Sequence, residues 1–357
     1  MQKCKYAIVG TGWRAEFFMR AAQYVPEQFE LTGVYTRSEE KAKELHERLG
    51  VKMTTDMDEL LAAKPDFVVL CVNRKVTMGY FEMFMKLNVP VLCETPPAES
   101  QEDLYKLWEM AQQYDAKIQV AEQYHRQPLY YSWMKVVKTG MIGEVSNMTL
   151  SSLHGYHAVA VMREILGVGM DKVKIYGKRH VFPVVETDSR YGMLYTGNTT
   201  MKNRDILTLE FENGTVGFYN FTDAMYHSQI RTRHINIQGL IGEIDDMDIR
   251  YINEDGDTVL SSLVRRDRGR FNNREWALSD MSLNGKILYK NPFNHARLND
   301  DELAVTDCMW GMKEYLETGK DMYSLKDGLQ DSIISQAMYK VLDNDLGEIT
   351  VDTQPWA

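Results

Sequence analysis

The sequence predicts an α/β chain of two domains: a doubly wound parallel sheet over residues 1–123, then an α+β domain with a largely antiparallel open sheet over residues 124–357. At 357 residues the chain exceeds what one hydrophobic core supports. Its first 123 residues alternate short, β-branched apolar runs with helical patterns, as strands buried on both faces do. After Tyr124 helices become sparse and hairpin-type turn dipeptides appear.

In the first domain strands are expected at 6–9, 31–35, 67–72, 89–93 and 118–121, with a weaker one at 51–54. Helices fall near 14–24, 39–49, 57–63, 77–87 and 101–114. Ser38 reads as the cap of the second, with Glu39 and Glu40 in its positive first turn and Gly50 just past its end. Ser100 with Asp103 begins the fifth, and Thr77 reads as the cap of the fourth. In the second domain a helix at 129–139 is stopped by Gly140, a strand follows at 145–152, a helix at 156–166, and then mostly strands. Asn213-Gly214 joins 206–211 to 216–221, and Asp255-Gly256 joins 249–253 to 258–262. Helices at 301–318 and 325–342 close the chain, the last behind Ser324.

Hydrophobic residues make up 44% and charged residues 26%, enough for two cores and no sign of long disorder. A formal charge of -10 argues against a nucleic-acid partner, because phosphate backbones are held by concentrated Lys and Arg. The four cysteines form no C-x-x-C pair, so neither a disulfide framework nor a metal site is expected, and reducing cytoplasm is the expected compartment. No apolar run reaches the roughly 18 residues of a membrane span. No secretory cleavage pattern is seen either, so a soluble protein away from membranes is expected. The 22 methionines read as adaptable core filler.

Gly10-Thr11-Gly12-Trp13-Arg14-Ala15 follows an apolar strand and opens a helix, as a G-x-G-x-x-A dinucleotide fingerprint of the Rossmann fold does. Gly10 permits the tight turn, Gly12 lets the backbone approach a diphosphate, and Ala15 lets helix and strand pack closely. Thr11, Trp13 and Arg14 complete the turn whose free N–H groups would receive the phosphates. The second strand ends Tyr35-Thr36-Arg37-Ser38, without the carboxylate that marks NAD. Arg37 could neutralise a 2′-phosphate, so the cofactor is expected to be NAD or NADP with a slight lean to NADP; a solvated loop arginine is the alternative. Asn73, at the carboxyl end of a strand, is a candidate ribose or backbone contact.

With Cys93-Glu94-Thr95-Pro96, Gly140-Met141-Ile142-Gly143-Glu144-Val145, and the H-x-x-x-x-x-R-x-x-x-G pattern from His157 to Gly167, the chain resembles the glucose-fructose oxidoreductase and inositol dehydrogenase family, Gfo/Idh/MocA. The resemblance implies hydride transfer between a nicotinamide and a sugar, cyclitol or related polyol. It also implies homo-oligomers, dimers or tetramers, formed through the second domain's sheet. The departures are specific. Thr95 stands where the family has a lysine that hydrogen-bonds the reacting oxygen, and a hydroxyl cannot stabilise an alkoxide as an ammonium does. Leu153 and Ala160 occupy the places of the family's two aspartates.

His157 remains as the candidate proton carrier. His154 and Tyr156, in the same turn, are candidate substitutes for the lost acid or base; capping and packing are the alternatives. Glu94 is expected to serve structure or cofactor, and Arg163 to hold the domains together. The link from Val145 to His157 is short, which places a strand against the helix carrying His157 and implies a changed or wider substrate mouth. If strand alternation holds there, Arg231 and Arg233 point to one face and could bind an acidic or heavily hydroxylated substrate, or simply pair at the surface. The run Arg265-Arg266-Asp267-Arg268-Gly269-Arg270 reads as a solvated or subunit-contact loop. Three functions stay open: an NAD(P)-dependent oxidoreductase, a glycoside hydrolase or lyase that oxidises its sugar transiently with tightly bound NAD, and a catalytically inactive dinucleotide- or sugar-binding protein.

Overall fold

The computed structural model describes residues 3–269, 276–293, 295–344 and 347–357. The apolar runs of the first domain become β1 (Cys4–Val9), β2 (Phe29–Tyr35), β3 (Met53–Thr54), β4 (Phe67–Leu70), β5 (Val91–Cys93) and β6 (Ile118–Val120). They form one parallel sheet in the order β3-β2-β1-β4-β5-β6. All of β4, β5 and β6 is buried, so β4 and β5 read as unbroken apolar runs rather than alternating ones, while β6 buries Gln119 between Ile118 and Val120. The strand order reverses between β1 and β4, where ligands of such sheets collect beyond the carboxyl ends.

Helices α1 (Ala15–Tyr24), α2 (Glu39–Leu49), α3 (Met57–Ala62), α4 (Arg74–Lys86) and α5 (Gln101–Gln113) cover the two faces. Ser38 caps α2 by accepting from the Lys41 amide, and Ser100 caps α5 by accepting from that of Asp103. The fourth helix begins three residues earlier than the pattern suggested. Asn73, not Thr77, is its cap, accepting from the Lys75 amide, while the buried Thr77 hydroxyl donates to the Asn73 carbonyl. β4 stops at Leu70 because the chain then turns across the first glycine: a Cβ on Gly10, whose φ is +119°, would lie 2.1 Å from the Cys71 carbonyl oxygen.

The second half opens with α6 (Pro128–Lys138), β7 (Val145–Ser151) and α7 (Gly155–Ile165). Strands follow: β8 (Val173–Val185), β9 (Asp188–Ser189), β10 (Gly192–Met193), β11 (Thr199–Phe211), β12 (Val216–Phe221), β13 (His234–Gly239), β14 (Gly242–Asp245), β15 (Asp248–Ile252), β16 (Thr258–Ser262), β17 (Val264–Arg268), β18 (Ala277–Leu283) and β19 (Lys286–Lys290). Helices α8 (Asp300–Thr318) and α9 (Leu325–Asn344) and strand β20 (Glu348–Val351) complete the chain. Nine strands form a sheet ordered β16-β15-β14-β13-β7-β12-β11-β8-β20, antiparallel except for the β7–β12 pair. Both expected hairpins form, β11–β12 and β15–β16.

The strand expected at 206–211 is the end of a longer one, since β11 pairs with β8 along 13 residues. Only its last part carries the core alternation, with Leu207, Leu209 and Phe211 buried, and that is why the polar part escaped the pattern. The basic run at 265–268 lies in β17 rather than in a loop: Arg265 pairs with Asp267 and bidentately with Asp300, and Arg266 pairs with Asp280. Arg270 lies outside the described residues.

The last two helices return to the first domain. Helix α8 packs on α1 and β1, with Phe29 and Trp310 edge to face at 6.0 Å, and α9 packs on α5 and β6. Arg163 ties α7 to α9 through Asp331 at 2.6 Å and Asp327 at 3.2 Å, so it links the domains indirectly. Near the chain's end the buried Trp356 stacks beside Tyr105 and Trp108 of α5, and its indole N–H donates to Gln330 at 2.9 Å. Trp356→Ala is expected to lower unfolding free energy by about 3 kcal/mol in one cooperative urea transition. A loss below about 1 kcal/mol would mean that the tail frays on its own.

Candidate active site

A cleft of about 1140 Å³ opens between the domains. The Rossmann side supplies Trp13 and Arg14 at the start of α1 and Glu94 and Thr95 after β5. The other side supplies His154 and His157 from the start of α7, and Tyr226 and Arg233 from the connection between β12 and β13. Helix α7 begins three residues after β7, so the short link does lay the helix close to its own strand.

His157 is the centre of a hydrogen-bonded line. Its Nδ1 lies 2.6 Å from Oε2 of Glu122, which is fully buried at the end of β6. Its Nε2 faces Thr95 Oγ1 at 3.5 Å. The Thr95 hydroxyl in turn lies 3.3 Å from Glu94 Oε2, and Glu94 Oε1 accepts from Arg14 Nε at 2.6 Å. Tyr124 packs edge-on against the imidazole at 4.8 Å and closes it from water. Burial pushes the Glu122 carboxyl up to about 8 and the His157 imidazole down to about 4. Neither charge is tolerated alone. Both shifts favour the neutral forms at neutral pH, an arrangement in which Glu122 donates to Nδ1 and the ring proton lies on Nε2, facing the cleft.

Glu122 is the functional residue that sequence reasoning missed. The signal was present: a carboxylate at the carboxyl end of a buried parallel strand, where ligand-facing groups collect.

His154 and His157 share a helix face, their rings 5.0 Å apart. The Tyr226 hydroxyl accepts from the His154 amide at 3.0 Å and donates to its Nδ1 at 2.6 Å. Surrounding protein, with His157 beside it, lowers the His154 pKa, so this ring is held neutral with Nδ1 as acceptor. Tyr156 is not with them. It is buried on the far side of α7, beside Gly328 of α9, and its hydroxyl has no partner among the described residues. One residue along a helix turns the side chain by about 100°, and that turn takes Tyr156 out of the cleft.

The fingerprint turn fits a dinucleotide diphosphate. Helix α1 starts without a side-chain cap, its Ala15 and Phe17 amides donating back to the Gly12 and Arg14 carbonyls, and a Cβ on Gly12 would meet nothing within 4 Å. Arg14 Nη2 is a buried donor without a partner among the described residues. Gly10, Thr11, Gly12, Trp13 and Arg14 lie together beyond β1, and Thr36, Arg37 and Asn73 lie along the same carboxyl edge of the sheet. The side chains of Thr36 and Asn73 are engaged locally, Thr36 Oγ1 accepting from the Ser38 amide and Asn73 capping α4. Arg37 is exposed and pairs with no carboxylate among the described residues. Trp13 is covered by Arg190, from the β9–β10 hairpin of the other domain, at 4.7 Å from its ring. His234, Asp245 and Asp246 could together hold a cation, though His234 Nδ1 already bonds Asp246 at 2.8 Å.

Fold and cleft define a two-domain protein of the Rossmann class, its first domain built to receive a dinucleotide. Residues 4–122 match the model of an oxidoreductase family with an NAD-binding Rossmann fold, GFO_IDH_MocA. An L-aspartate dehydrogenase of Methanococcus maripaludis is 25% identical over 174 residues, 48% of this chain and 62% of that one. A scyllo-inositol 2-dehydrogenase (NADP(+)) of Bacillus subtilis is 31% identical over 101 residues, 28% of this chain and 30% of that one. The match thus spans less than two thirds of either relative. The crystal structure of an oxidoreductase from Agrobacterium radiobacter in complex with NAD+, L-tartaric acid and magnesium has a TM-score of 0.70 at 18% identity, covering 99% of both chains. The fold is therefore shared through both domains.

Gly12→Val should fold with an unchanged melting temperature, because its side chain would point into open space. It should lose dinucleotide affinity about 10-fold or more by holding the diphosphate off the helix amides. Calorimetric titration showing undiminished affinity would remove the turn from the binding site.

Proposed function

We propose that the chain is an NAD(P)-dependent oxidoreductase acting on a hydroxyl- or carbonyl-bearing carbon of a sugar, cyclitol or related polyol, with His157 as proton carrier. The observation that carries this reading is the 2.6 Å contact of His157 with a buried carboxyl, on the wall of a cleft that also holds the fingerprint helix. The family match over residues 4–122 and the two dehydrogenases among the relatives support it.

A bound nicotinamide would supply or accept the hydride. The chain's own residues handle the proton. In carbonyl reduction the Nε2–H of His157 is given to the substrate oxygen, and the Glu122 proton passes to Nδ1, leaving a carboxylate hydrogen-bonded to Nδ1–H. Alcohol oxidation runs this in reverse from the singly deprotonated pair, whose Nε2 is free to accept. Thr95 supplies a hydrogen bond at the same place without the charge of a lysine, and the His157–Glu122 pair takes over the proton traffic. Arg37, without a carboxylate partner, leans the cofactor toward NADP.

For partners, we take a second copy of the chain to lie against the outer face of the nine-stranded sheet, where Phe182, Ile206 and Phe218 are exposed on one side. Among the described residues no helix is long and apolar enough to cross a membrane. The cytoplasm is the compartment that suits its four free cysteines.

With cofactor and a panel of polyols and keto-sugars, absorbance of reduced nicotinamide should report net turnover; none across the panel would sink the reading. Oxidation should quicken as pH rises through about 8, where Glu122 loses its proton, and reduction should slow over the same window. Glu122→Gln removes the carboxylate that balances the proton taken up by His157 and should cost about 100-fold in oxidation while flattening that limb. An unchanged profile in Glu122→Gln would rule out the relay.

A further inference from the structure

The acids of the cleft are already matched inside the protein. Glu94 is bound by Arg14, Asp300 by Arg265, Asp301 by the Gln127 amide, and Asp246 by His234 and the Ile235 amide. Three of the cations are not: Arg74, Arg190 and Arg233 line the same cleft, and none has a carboxylate partner among the described residues. Two of these stand on the dinucleotide side. Arg190 lies over Trp13 of the fingerprint turn, and Arg74 opens α4 beyond the carboxyl end of β4, where the phosphates of a dinucleotide need positive charge. Arg233 comes from the other domain and is left without such an assignment.

Its placement is fixed by two aromatic routes that end on His157. The guanidinium lies 4.9 Å from the centre of the Tyr226 ring, whose hydroxyl grips His154, and the His154 ring is 5.0 Å from that of His157. On the other side the positive charge of Arg233 acts on the Tyr130 hydroxyl, Tyr130 packs on Tyr124 at 5.0 Å, and Tyr124 packs on His157 at 4.8 Å. A ring face consumes no N–H, and a phenol oxygen takes at most a small share of the five that a guanidinium offers. The planar fork that remains matches a carboxylate through two parallel hydrogen bonds.

We propose that Arg233 is the anchor for a carboxylate on the substrate, so that the compound oxidised or reduced is a sugar acid or comparable hydroxy acid rather than a neutral polyol. This rests on the oxidoreductase reading above for the reaction, and on Arg233 alone for the choice of substrate.

The test is calorimetric titration of the cofactor-saturated protein with matched pairs: D-gluconate against D-glucitol, and D-glucuronate against D-glucose. At least one acid should bind about 10-fold or more tighter than its neutral counterpart. Arg233→Gln should weaken that acid about 10- to 100-fold, with little change for the neutral compound, and Arg233→Lys should keep part of the preference. Arg233 is exposed, so an unchanged melting temperature is expected and serves as the control for folding. Neutral compounds bound as tightly as the acids, absence of binding by both acids, or an Arg233→Gln protein with unaltered preference overturns the proposal. The two readings fail separately. Acid binding through Arg233 without any cofactor turnover defeats the oxidoreductase and leaves the anchor standing; turnover of a neutral polyol with Arg233→Gln silent does the opposite.

Discussion

One hydrogen bond, between the Glu122 carboxyl and the His157 imidazole, joins the two halves of the molecule at the place where their surfaces meet the cleft. Each group is shut away from water, and each by itself would pay heavily to carry a charge there. Together they satisfy one another as neutral partners, which holds only while the start of α7 stays docked against the end of β6. The three-residue link from β7, the edge-on ring of Tyr124 and the Arg163 contacts with α9 all serve to keep it docked. Loosening any of them would expose a pair whose protonation depends on being dry.

The cleft is thereby divided between two tasks. On one wall the uncapped start of α1 and the bare surface of Gly12 present backbone donors, while Arg14 is steadied by Glu94. On the other, His154 and Tyr226 fix each other's protons and support Arg233. Thr95 stands between the two tasks, within hydrogen-bonding distance of both Glu94 and His157. The first wall is the part that matches a family model over residues 4–122, and the second is the part that gives this chain its own character.

Local chemistry made much of this legible in the sequence. Gly10 and Gly12 announce a turn that only glycine can make or leave open, Ser38 and Ser100 announce helix starts, and Asn213-Gly214 announces a hairpin; in each case the cause lies within a few residues. His157 stood out through the H-x-x-x-x-x-R-x-x-x-G pattern of the family that the chain resembles. What stayed hidden depends on partners far along the chain. Glu122 looks like the first polar residue of a loop until α7 arrives 35 positions later to cover it. Tyr156 and His157 are neighbours in one turn on paper, and the packing of α9 takes Tyr156 away from the cleft. Thr77 outranked Asn73 as a cap because the earlier turn of α4 carries Arg74 and Lys75, polar residues without apolar periodicity. The outer reach of β8 and β11 has no buried face to reveal it.

The closing helices have a bearing on how the molecule is made. During synthesis the parallel sheet emerges well before helices α8 and α9 and the indole of Trp356, which cover α1, β6 and α5. The nascent Rossmann half must therefore wait with apolar surface uncovered, a state that invites association with neighbours or chaperones. Its native core is sealed by helices made only after the strands from β7 to β19.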